Sequence, residues 1–294
     1  MTQKETEALI RLLDDPDKTV YRAIKKKILA EGANILPDLT KAWQDAKANG
    51  TGSSLLMYRF EKLVPLLQNS FIINQIEQWK SAPDDYRRIA WLVSRFDNFA
   101  LDREEFDSGL DALKAMLPAY QTSNFSPLEQ VRMFNNVFFN KMGFRPVNNN
   151  DFYNPLNCIP FKVITNKIGN PVSLALIYMM LAVETGLPIY GVNLPKNFIL
   201  AYAGDATSVD FYINPMTMGA VFEKPEIDRF LRDDLKQKPE RQFYAPCVII
   251  TIIKRLLCRL ELSYRTKNDA RRSDVALKAY NTLGEPLNKV IDWE

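Results

Sequence analysis

The 294-residue chain contains no histidine. Imidazole is the side chain that exchanges protons near neutral pH and a frequent ligand of zinc, so its absence removes Ser-His-Asp and Cys-His mechanisms and most zinc chemistry. An enzyme built on this sequence must use another base. Cysteine is scarce as well: Cys158, Cys247 and Cys258 are odd in number and scattered, without the spacing of a disulfide framework or a metal site. They read as buried small hydrophobes. Neither a metal nor a cofactor is expected.

Long apolar runs are also missing. The greasiest stretch, Cys247-Val248-Ile249-Ile250-Thr251-Ile252-Ile253, is interrupted by Lys254 and Arg255, well short of the roughly 20 residues a membrane helix needs. Charge of one sign is not in excess. A net +3 is too small for a strong nucleic-acid field, and Lys25-Lys26-Lys27 and Arg271-Arg272 read as solvated helix faces. The opening Met1-Thr2-Gln3-Lys4-Glu5 is charged and leads into no apolar stretch, unlike a secretory leader. A cytoplasmic protein with no membrane or nucleic-acid partner is expected.

What is present, 47% hydrophobic and 25% charged residues, is the composition of an ordinary globular protein. From Glu7 to about Ala48 the apolar residues Leu9, Leu12, Leu13, Val20, Ile24, Ile28, Leu36, Leu39 and Trp43 recur at helical spacing. Asp14-Asp15-Pro16-Asp17 supplies a break and a candidate N-cap, and Gly32 a stop. The arrangement resembles a HEAT-type helical hairpin, whose repeats present a concave face to partners. A next helical pair, without the HEAT signature, is expected over Leu55 to Trp79, and further helices at Tyr86 to Arg95, Asp102 to Pro118 and Pro127 to Lys141. Asn170 can cap another, with Pro171 in its first turn and a stripe of Leu174, Ile177, Tyr178 and Leu181 ending at Gly186. Three short strands follow, Ile189 to Asn193, Phe198 to Tyr202 and Val209 to Ile213. Helices are then expected beyond Lys224-Pro225-Glu226 to about Leu235, from Val248 to about Tyr264 and from Ala270 to Thr282, the last two as a hairpin. The fold class is α+β, mostly helical, with a central helix packed on a small antiparallel sheet and flanked by helical hairpins. The expected division is a helical region 1–82, a central domain 83–240 and a C-terminal hairpin 241–294.

The central stretch carries four pieces in order: Asp151-x-x-Asn154-Pro155-x-Asn157, Gly169-Asn170-Pro171-x-Ser173-Leu174, Gly186-Leu187-Pro188-x-x-Gly191-Val192-x-x-Pro195-x-Asn197-Phe198, and Ile213-Asn214-Pro215. Together they resemble the SirB-type family of bacterial transglutaminase-like proteins, within the transglutaminase-like and papain-like fold. The resemblance implies a tetratricopeptide-like C-terminal hairpin in truncated form. It also implies a triad, with cysteine at the start of the central helix and histidine and aspartate on following strands. The corresponding positions here hold Pro171, with Ser173 the nearest hydroxyl, then Asn197 and Asn214.

None of these groups can do the triad's work, because an asparagine amide accepts no proton at physiological pH and a serine needs a base. The expected function is therefore that of a catalytically inactive module binding a protein or peptide. Its candidate ligand cleft comprises Asn170, Ser173, Asn197 and Asn214, with the helix N-terminus available to an anion or carbonyl. The competing expectation is an unusual acyl hydrolase or amidase that uses Ser173 with Lys167 or Lys196 as base, or Cys158 as nucleophile.

Overall fold

A computed structural model of the chain describes residues 2–117, 125–204 and 208–291. Pro118, the expected end of one helix, lies outside the described residues. The chain divides into two compact units, Met1–Gln75 and Ile76–Glu294.

The first unit is helical. Thr2 and Glu5 form a capping box that starts α1 (Gln3–Leu12). Asp17 accepts from the Thr19 N–H to start α2 (Lys18–Glu31), which stops at Gly32 with φ 56°. Pro37 stands in the first turn of α3 (Leu36–Asn49), which stops at left-handed Gly50. Where the sequence suggests a pair, one continuous helix, α4, runs Ser54–Lys80, and from Ile76 it is counted in the second unit. Leu13, Ile28, Leu39 and Val64 are fully buried. Arg59 on α4 is also buried, and one guanidinium nitrogen donates to the carbonyls of Leu13 and Asp15, each at 2.6 Å. Its carbon lies 4.1 Å from the centre of the Tyr21 ring. The cation is thus compensated by backbone dipoles and an aromatic face.

In the second unit α5 (Tyr86–Ser94), α6 (Arg103–Lys114) and α7 (Pro127–Asn135) precede the centre. The helix expected to run from Pro127 to Lys141 keeps its length but widens into a π-type turn over Asn136–Lys141. The widened turn lets consecutive Val137, Phe138 and Phe139 all be buried, which the 100° step of a regular helix opposes. A two-residue parallel pair, β1 (Arg145–Pro146) with β2 (Ile168–Gly169), brackets α8 (Pro160–Asn166). Then comes α9 (Pro171–Glu184). Where the sequence suggests one apolar stripe, α9 is buried on every side from Pro171 to Ala182. Such a helix has no outer face and forms the middle of a domain.

Around it stand β3 (Ile189–Val192), β4 (Ile199–Tyr202), β5 (Phe211–Asn214) and β6 (Ala220–Phe222), an antiparallel sheet in that order. The fourth strand and the β1–β2 pair escape a reading based on alternation because they are too short to alternate. A short α10 (Lys224–Arg229) leads into a wide turn, and α11 (Ile249–Thr266) packs against α12 (Ala270–Thr282) as the expected hairpin. The fold is α+β and mostly helical. Among the described residues no helix is long and apolar enough to cross a membrane.

The Tyr178 ring of α9 lies among Phe134, Phe138 and Phe139, with the Phe134 and Tyr178 centres 4.4 Å apart. Its buried hydroxyl needs a partner, and donates to Asn135 Oδ1 at 2.9 Å. Asn135 Nδ2 in turn donates to the Gly219 carbonyl at 2.7 Å. Gly219 has φ 78°, and a Cβ built there falls 2.3 Å from Asn135 Oδ1. Gly219→Ala is therefore expected to destabilise the protein by roughly 2–4 kcal/mol, through left-handed strain and overpacking together. Urea denaturation measures this, and a loss no larger than that of an exposed surface alanine would refute the contact.

Candidate functional site

The start of α9 is the place where the sequence concentrates its unusual residues, and there the structure forms a closed polar knot. Asn170 Oδ1 accepts from the N–H groups of Val172 and Ser173 at 3.0 and 2.9 Å. The Asn170 carbonyl accepts from the Leu174 N–H at 3.0 Å, and Pro171 has no N–H to satisfy. In return Ser173 Oγ accepts from the Asn170 N–H at 2.9 Å and donates to the Asn157 carbonyl at 2.6 Å. Asn170 Nδ2 points to Cys158 Sγ at 3.0 Å, and Cys158 Sγ lies 3.7 Å from Ser263 Oγ on α11. Asn170, Ser173, Cys158 and Ser263 are all fully buried. Gly169 makes room for this, since a Cβ there would fall 2.8 Å from Ser173 Oγ.

Each group's position bears on its chemistry. The first-turn N–H groups expected to meet an anion are already taken. Ser173 has its proton on a carbonyl and a lone pair on an amide, and it presents no atom to solvent. Lys167 ends α8 in the left-handed region, with Nζ 4.8 Å from the Phe144 ring centre, and burial lowers its pKa. Lys196 is exposed, on a left-handed turn before β4. Among the described residues neither lysine hydrogen-bonds to Ser173. Burial pushes the Cys158 thiol up to about 12, the reverse of an activated nucleophile. The expectation that Cys158 approaches a cleft is corrected by its full burial.

The two strand asparagines are half-buried and serve their own backbone. Asn197 Oδ1 accepts from the Phe198 N–H at 2.9 Å, and Asn214 Oδ1 from the Met216 N–H at 2.9 Å. With Leu200 opposite Ile213, the start of β4 and the end of β5 lie at one end of the sheet, which brings both asparagines to that end. Among the described residues neither hydrogen-bonds to Asn170, Ser173 or Cys158. A groove of about 700 Å³ is lined by Asp210, Tyr212, Lys224, Arg241, Tyr244 and Ile291 among others, and by none of the four asparagine and serine candidates. Composition gave no sign of it, because its walls come from segments far apart in sequence. Among the described residues no three His, Cys, Asp or Glu side chains gather as metal ligands.

Loss of the knot is expected to be expensive. Asn170→Ala should destabilise by about 2–4 kcal/mol, as a lost cap leaves buried N–H groups unpartnered, whereas Asn197→Ala should change stability by under about 1 kcal/mol. Equal effects in urea denaturation would contradict this. A pH prediction follows from the buried thiols. Cys158 and Cys247 are raised from the ordinary 9.0 to about 12 by burial. The unfolded chain therefore loses these protons first, so their contribution is fully present below 9 and is lost as pH rises through 9 to about 12. Stability measured at about pH 8 should exceed that at about pH 10.5, and Cys247→Ala should narrow the gap.

Comparison with known proteins places this geometry. Residues 104–258, just over half of the chain, match the family described as the transglutaminase-like superfamily. A UPF0162 protein of Xylella fastidiosa (strain 9a5c) is 26% identical over 208 residues, covering 67% of this chain and 73% of the relative. F-box only protein 21 of Homo sapiens is 21% identical over 185 residues, 54% of this chain and 29% of that protein. Its Mus musculus counterpart is 23% identical over 185 residues, with the same coverage of 54% and 29%. No solved structure matches the chain at the same stringency. A central helix entered at Asn170-Pro171, followed by an antiparallel sheet and falling inside the matched residues, is the arrangement expected of that family, and the chain belongs to the transglutaminase-like superfamily.

Proposed function

We propose that this chain is a transglutaminase-like protein without acyl-transfer chemistry, acting in the cytoplasm as a module that binds a protein or peptide. One observation carries the reading: Ser173, the hydroxyl nearest in sequence to the degenerate cysteine position, has its hydrogen bonds filled inside the fold, in a chain with no histidine to activate it. The buried, proton-retaining Cys158 supports it further. So does the match to part of the much longer F-box only protein 21, which is what a module carried within larger chains would give. We read the finer family as SirB-type and the N-terminal helices as HEAT-like, with functional regions 1–82, 83–240 and 241–294. Asn197 and Asn214, together at one end of the sheet, are the groups from this set proposed to hydrogen-bond a ligand. Nucleic acid is not the proposed partner.

Reactive probes test the reading directly. The folded protein, treated separately with a fluorophosphonate and with iodoacetamide and mapped by peptide mass spectrometry, should carry no adduct at Ser173, Cys158 or Cys247. Iodoacetamide should label the exposed Cys258. Selective fluorophosphonate labelling of Ser173, abolished by Lys167→Met, would replace the binding reading with a serine–lysine hydrolase.

A further inference from the structure

Beyond α12 the chain turns back, and residues 285–291 lie as a strap across the start of α11 and the end of β3. The turn out of α12 is made by Gly284, whose φ of 67° suits a glycine hinge. What holds the strap is unusual in kind. Lys254 Nζ donates to the Glu285 carbonyl at 2.7 Å, Asn193 Nδ2 to the Leu287 carbonyl at 2.9 Å, and Thr251 Oγ1 to the Lys289 carbonyl at 2.9 Å. Val290 forms a bridge with Cys247, and the Ile291 N–H donates to the Pro246 carbonyl at 2.7 Å. No strap residue is itself fully buried, while Thr251 is 0% and Lys254 6% exposed. The slot therefore recognises main chain, and makes few demands on the sequence that fills it.

Charge identifies what would fill it better. Lys254 is buried and makes no ion pair among the described residues. Its ammonium has a neutral carbonyl and, at 4.1 Å, the Tyr280 ring. Lys80 Nζ likewise has a neutral partner, the Thr282 carbonyl at 3.0 Å. The Glu285 carboxylate, at the same hinge, is paired with Lys289 at 3.1 Å. Among the described residues the three ammonium groups thus have one carboxylate paired between them, that of Glu285. A segment bringing additional carboxylates gains charge-assisted hydrogen bonds that the strap does not make.

We propose that the slot formed by Asn193, Thr251 and Lys254 is a binding site for an acidic polypeptide segment, and that residues 285–291 are its resident competitor. This deepens the binding reading and rests on it, since it supplies the site and the chemistry of the partner. Strap release would also remove Ile291 from the wall of the groove that contains Tyr212 and Tyr244, so one event changes both surfaces.

The test uses the full chain with Cys258→Ser and Asn288→Cys, spin-labelled at position 288, which is exposed. Two peptides are titrated, one with the strap sequence from Gly284 to Ile291 and one identical except for Asn288→Glu and Lys289→Glu. The acidic peptide is expected to mobilise the label at a concentration about tenfold lower than the other, with the advantage lost in Lys254→Met and reduced in Lys80→Ala. Thermal midpoints of both variants confirm folding, and the Lys80 variant decides the matter if Lys254→Met does not fold. Equal potency of the two peptides, or no mobilisation by either at about millimolar concentration, overturns the site. Capture of a partner with the strap immobile would overturn the slot and leave the binding reading standing. Strap release by acidic peptide in a protein whose Ser173 reacts with fluorophosphonate would do the opposite.

Discussion

The structure of the larger unit depends on how the first turn of α9 is satisfied in the absence of water. A helix buried on every side cannot leave its opening N–H groups to solvent, so the sequence must supply an acceptor from within. Asn170 and Ser173 do so reciprocally, and they are anchored in turn by the Asn157 carbonyl and the Cys158 thiol. The knot ties the segment before α8, the start of α9 and the middle of α11 to one point. The sheet and the C-terminal hairpin pack around what that point holds in place.

The same arrangement bears on the proposal that this member of the superfamily works without acyl chemistry. A catalytic cysteine at the head of the helix must face substrate and keep a polarised environment, both of which oppose dense packing. With Pro171 in the first turn and both neighbouring polar groups turned inward, the helix start becomes a structural element. Its asparagine and serine satisfy each other. The close approach at Gly169 requires a glycine there whether or not chemistry follows.

Much of this was legible in the chain. Asp17, Gly32 and the Asn170-Pro171 pair mark helix ends through local chemistry, and local chemistry is what a sequence displays directly. The hairpin of α11 and α12 was legible from periodicity. The all-round burial of α9 was not, because a stripe of Leu174, Ile177, Tyr178 and Leu181 looks the same whether the intervening Ala175, Leu176 and Met179 face solvent or a second layer. The contact of Cys158 with Ser263, and the strap over Lys254, join residues about one hundred and about thirty positions apart. No spacing rule reaches across such distances. The candidate cleft likewise assumed that Ser173 points outward, and only its partners reveal the direction.

The burial of α9 has a further consequence during synthesis. The helix is complete once Glu184 has been made, but β3, β4 and α11, which pack against it, follow as far as Thr266. At about 5–20 residues per second the apolar helix waits on the order of ten seconds for its cover. Until then it is held by elements made before it, among them α6, α8 and the Phe134, Phe138 and Phe139 rings around Tyr178, and its uncovered side is a surface for chaperones or for aggregation. Translation speed between Gly186 and Ile249 thereby becomes a determinant of yield that the finished fold no longer displays.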